Sequence, residues 1–178
     1  MSTERVNDAL HQIGLALDES SAHAVEIMTK YVQREPEENE IFACMELWWE
    51  QDYSLGYNRF FVTDVNGEQV LVTKWDETAL GHSLVPGILN YFDNYYQNMS
   101  RETEFTEAES MELSDNLERT LLGWMAHCWR VAGGEQTKLP TYFCFEKEYK
   151  VRDLMTGEIM SEEEAARKLG YNATVSLN

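Results

Sequence analysis

The chain has 178 residues and a formal net charge of −18, from 32 acidic and 14 basic side chains. That excess of anions argues against direct contact with nucleic-acid phosphates or anionic membrane surfaces, which want the opposite sign. With 43% apolar and 12% aromatic residues it is too hydrophobic for a disordered acidic tail, so one globular domain over residues 1–178 is expected.

The opening Met1-Ser2-Thr3-Glu4-Arg5 lacks the apolar core of a signal peptide. No apolar run approaches the roughly 20 residues needed to cross a bilayer. Cys44, Cys128 and Cys144 are odd in number and lack CxxC spacing. They read as reduced core thiols, and a cytoplasmic location is the expectation.

Val6, Leu10, Ile13 and Leu17 form the apolar stripe of a first helix. Ser20 or Ser21 suits the cap of a second, lined by Ala24, Ile27, Met28 and Tyr31 and ended before Pro36. Residues 41–49 fit helix or strand by periodicity, and their aromatics favour strand. Asn66-Gly67 between two β-rich runs predicts a two-residue hairpin turn, pairing Thr63 with Val70 and Phe61 with Val72. Both faces of that ribbon are apolar, so it should lie inside a covered sheet beside residues 41–49. Pro86 opens a third expected helix lined by Leu89, Phe92, Tyr96 and Met99.

Residues 100–113 read as a mobile acidic loop, although Thr106-Glu107-Ala108-Glu109 matches a capping box. Leu117, Leu121, Met125, Cys128 and Ala132 keep helical spacing up to Gly133-Gly134. Phe143, Phe145, Tyr149 and Val151 share one parity and predict a single half-buried strand. Thr156-Gly157 marks a turn, and Ser161-Glu162-Glu163-Glu164 caps a last short helix. The expected fold class is α+β, a mostly antiparallel β-sheet with several helices packed against it.

No pattern of catalytic residues stands out. His11, His23, His82 and His127 form no HxxxH or HExxH pair, so no metal or cofactor is expected. There is no nucleophile elbow, and Gly133-Gly134 follows a helix where a phosphate loop would precede one. Asp64-Val65-Asn66-Gly67-Glu68 resembles part of a calcium loop, but the hairpin accounts for it.

The distinctive feature is where the charge lies. Residues 35–118 hold nineteen acids against Arg59, Lys74 and Arg101, a net of −16. Charge of one sign opposes compaction, so its retention suggests use, most simply to attract a basic partner. Aromatic residues interleave with the acids: Trp49, Glu50, Asp52, Tyr53 and Tyr57; then Asp76 and Glu77; then Asp93 and Tyr95; with Glu102, Glu104 and Glu107 beyond. Tyrosine and tryptophan are enriched at binding hot spots, and carboxylates receive arginine and lysine. These twelve residues are the expected partner-binding set. In size, acidity and element order the chain resembles bacterial immunity proteins, which neutralise basic toxins. That likeness implies an inhibitor masking a basic protein such as a toxin domain or a nucleic-acid-acting enzyme. Two alternatives stand beside it: a hydrolase whose carboxylate and histidine site shows no motif, and a structural subunit of a homo-oligomer.

Overall fold

The computed structural model describes residues 4–49, 55–66, 69–71, 106–145 and 150–169. Helix α1 (Glu4–Val32) leads into β1 (Glu40–Trp49), β2 (Leu55–Asp64) and β3 (Gln69–Leu71). Helix α2 (Glu107–Val131) and a 3₁₀ turn (Gly134–Gln136) lead into β4 (Thr141–Phe145), β5 (Lys150–Asp153) and β6 (Ile159–Ser161), and α3 (Glu162–Lys168) follows. Among the described residues, each half thus has a long helix before three strands. The third helix expected after Pro86 lies outside the described residues.

The six strands form one sheet in the order β3-β2-β1-β4-β5-β6. It is α+β in class, but the sheet is mixed and not mostly antiparallel as expected, because the central pair β1 and β4 runs parallel. Parallel neighbours require a long crossover, and the chain between β1 and β4 contains α2. Ala43 N donates to Pro140 O at 2.9 Å where the two strands begin.

Burial on both faces explains the ambiguous pattern of residues 41–45. Ala43 and Met45 join Val62 and Phe143 in a large core with α1 and α2. Phe42 and Cys44 join Tyr142, Cys144, Val151 and Met160 on the opposite face, with Ala165 and Ala166 of α3. A strand covered on both sides loses its alternation. Ile41 departs from parity for a local reason. Glu40 pairs with Asp64 and Phe42 with Thr63, so Ile41 is an extra, bulged residue and shares the second core with Phe42.

The two expected N-terminal helices are one. Ser20 and Ser21 do not cap; their hydroxyls donate to Ala16 O and Leu17 O, each at 2.9 Å. Serine bonded back to the i−4 carbonyl is compatible with an unbroken helix. Of the loop expected over residues 100–113, residues 100–105 lie outside the described residues, and helix begins at Glu107. Thr106 completes both bonds of the capping box with Glu109. The single strand expected across residues 143–151 is instead β4 and β5, paired antiparallel through Phe143 and Arg152.

The hairpin register differs by one residue. Thr63 pairs with Gln69 and Phe61 with Leu71, each one residue earlier on the second strand than a two-residue turn would set. Asp64 shapes the connection: its carboxylate accepts from Asn66 N at 2.8 Å and from Asn66 Nδ2 at 3.1 Å. An Asx turn of this kind competes with the two-residue turn that Asn-Gly favours.

The helices α1 and α2 pack parallel on one face. Arg5 reaches Glu109 near their starts, and the Trp124 indole donates to Leu17 O at 3.0 Å and Ser21 Oγ at 2.9 Å midway. After α2, Gly133 adopts φ 86°, the left-handed stop that glycine tolerates. Gly134 then presses against the buried Trp129 ring, where an added Cβ would sit 2.2 Å from the indole nitrogen.

Two predictions follow from this packing. Gly134→Ala lowers unfolding stability by about 3 kcal/mol, because the buried indole has nowhere to go. Gly157→Ala, at φ 74° with open space around it, costs only about 1 kcal/mol. Urea unfolding of both variants checks the ranking.

Burial raises the pKa of the Tyr31 phenol well above its ordinary range and also raises that of Tyr142, which Asp153 raises further. Their neutral forms are therefore favoured in the folded state. Stability is unaffected by them below pH ~10 and falls as pH rises past it, where the unfolded chain ionises first. Tyr31→Phe should flatten that alkaline decline in urea midpoints between pH 9 and roughly 11.

Candidate functional site

Chain direction defines one pole of the molecule. With α1 parallel to α2 and β1 parallel to β4, the amino ends of both helices and the carboxyl ends of both strands lie together. Of the twelve expected partner-binding residues, this pole holds three that the structure describes. Trp49 ends β1, where it pairs with Leu55. Tyr57 sits in β2 beside Asn58, the partner of Leu47. Glu107 is exposed in the first turn of α2. Glu50, Asp52, Tyr53, Asp76, Glu77, Asp93, Tyr95, Glu102 and Glu104 lie outside the described residues.

The protein's own cations meet part of the acidic block. Arg34 grips Glu40 with both guanidinium nitrogens, one at 2.6 Å, and Glu37 N adds a bond to the same carboxylate at 2.9 Å. The hydrogen bonds to Glu40 raise the Arg34 pKa above the usual arginine range, against the desolvation that opposes it. Lys138 pairs with Glu35, Arg5 approaches Glu109, and Arg152 pairs with Glu118. All four bases come from outside residues 35–118. Sequence counting misses this, because cation and anion are far apart in the chain in three of the four pairs.

Other carboxylates of the block have no cation at hand among the described residues: Glu38, Glu107, Glu112 and Asp115. Outside the block, the outer side of α1 carries Glu4, Asp8, Asp18 and Glu19, all exposed. The sequence reading did not single these out, because residues 1–34 carry little net charge. Helical spacing is the signal that would have found them, since Glu4, Asp8 and Asp18 fall on the face opposite Val6, Ile13 and Leu17.

A shallow depression of about 420 Å³ lies between β6 and α3, lined by Glu158, Ile159, Met160, Glu164, Arg167 and Lys168. Its cations and anions answer each other, as Lys168 pairs with Glu158. Hydrogen bonds from Ser161, backbone first, lower the Glu164 pKa, as its capping role requires. No group of three or more metal-ligating side chains occurs among the described residues. No described helix is long and apolar enough to cross a membrane.

The fold and the pole define a class: an acidic α+β protein with a mixed sheet flanked by helices on both faces. The chain matches no protein family model, no curated protein and no solved structure.

The ion pair beneath α2 gives a stability test. Arg152 is only 4% exposed, while the Glu118 side chain keeps contact with solvent. Glu118→Ala should lower unfolding stability by about 1–3 kcal/mol, because it weakens the compensation of a buried guanidinium. Arg152→Met, which removes the buried charge along with its partner's role, should cost less in the same urea assay.

Proposed function

We propose that this protein is an acidic, cytoplasmic, protein-binding inhibitor of the immunity-protein kind, masking a basic partner such as a toxin domain or a nucleic-acid-acting enzyme. The observation that carries the reading is the set of carboxylates that have no cation among the described residues, Glu107 and Glu112, at the same pole as the strand ends that carry Trp49 and Tyr57. The proposed contact surface extends through Glu50, Asp52, Tyr53, Asp76, Glu77, Asp93, Tyr95, Glu102 and Glu104. Carboxylates steer a cationic partner and set its orientation, and the aromatics supply apolar area once water leaves. Complementary charge of this density supports association rates of roughly 10⁸–10⁹ M⁻¹s⁻¹ at low salt.

The test is affinity capture from the native cell extract with low-salt and then high-salt washes. The expected capture is a basic protein released by salt. A variant with Asp52, Asp93, Glu104 and Glu107 all changed to Lys should associate with it at least about tenfold more slowly at low salt, with a flatter salt dependence. The reading fails if that variant binds the same protein at the same rate and the same salt slope.

A further inference from the structure

We propose that Cys44 and Cys144 are a redox site: a dithiol that a hydroperoxide converts into a reversible disulfide between β1 and β4. Their Sγ atoms lie 3.1 Å apart, although the residues are 100 positions apart in sequence. Neither is in a disulfide; they are 1% and 3% exposed, on the same face of the sheet. The third cysteine, Cys128, belongs to the other core, on the far side of the sheet, and is an internal control.

The register bears on the lability of the bridge. Cys44 stands opposite Tyr142, and Cys144 opposite Glu46, so the two cysteines are diagonal neighbours on adjacent parallel strands. A disulfide needs the sulfurs to approach by a further ~1 Å. Diagonal positions lie farther apart than direct partners, so this closure draws the strands out of their relaxed spacing. Strained bridges of this kind are the readily reduced ones. Among the described residues, the helical cover over this core is α3. Helix α3 has seven residues and contributes only Ala165 and Ala166 to it, so a small oxidant gains entry by local opening rather than global unfolding.

Hydrogen peroxide supplies the oxidising equivalents. One thiol attacks the O–O bond, becomes a sulfenic acid and releases one water. The sulfur of the second thiol displaces the hydroxyl, which leaves with the thiol proton as a second water. Two thiols and one peroxide thus give one disulfide and two waters. The bridge adds a covalent tie between β1 and β4, which hydrogen bonds and core packing join in the reduced protein.

The test treats the folded protein with hydrogen peroxide, then denatures it and alkylates the remaining thiols. The expected outcome is a fall from three alkylated cysteines to one, Cys128, with a cross-linked peptide joining Cys44 to Cys144 and full reversal by glutathione. Cys44→Ala and Cys144→Ala should each abolish the cross-link, and Cys128→Ala should leave it intact. Three alkylated thiols after treatment, a cross-link involving Cys128, or irreversible sulfinic acid at Cys44 or Cys144 would overturn the proposal.

Discussion

The parallel pairing of β1 with β4 is the constraint on which the other arrangements depend. It joins the two halves of the chain at the middle of the sheet, with Ala43 through Leu47 facing Thr141 through Phe145. Its direction forces a crossover, and α2 lies in that connection. Because α2 then runs into β4 as α1 runs into β1, the helices must lie parallel, which sets Trp124 against Leu17 and Ser21. Each element's position follows from the one before it.

A strand pair buried on both faces also explains how the cores divide. The face under α1 and α2 collects the larger set, including Phe143, Met125 and Trp129. The opposite face is smaller and centres on the edge-to-face contact of Phe42 with Tyr142, whose ring centroids are 5.6 Å apart. Aromatic pairs in that geometry contribute beyond the area they bury. The bulge at Ile41 enlarges this second core by one side chain. Without it, strict alternation would turn Ile41 toward the helices.

What was legible in the sequence was local. Ser161 with Glu164 announced a helix start, and the Thr106–Glu109 box, set aside in favour of a loop over residues 100–113, is closed as well. The turn after Asp153, with Gly157 at φ 74°, was equally plain. The aromatic content of residues 41–49 chose strand over helix correctly. Features that depend on distant partners were not legible. Ser20 and Ser21 looked like caps because a hydroxyl has the same chemistry whether it caps a helix or bonds back within one. The parallel direction of β4 is set by a connection, not by any residue in the strand. The hairpin register turned on the Asp64 carboxylate, which outweighed the Asn-Gly preference. For the interaction surface, the acidic run was visible, but its partial neutralisation by Arg5, Lys138 and Arg152 was not.

Parallel packing of α1 and α2 has an electrostatic consequence. Aligned peptide dipoles give each helix about half a positive charge at its amino end, and here two such ends lie side by side and repel. Glu4 stands in the first turn of α1, with Glu107 and Glu109 in that of α2. Glu109 accepts from Thr106 N and so answers its own helix before anything outside, and Glu4 and Glu107 lie in the same dipole field. The field projected from that pole is therefore weaker than its formal anions suggest, and residues beyond the first turns, such as Glu112 and Asp115, carry more of it than their number implies.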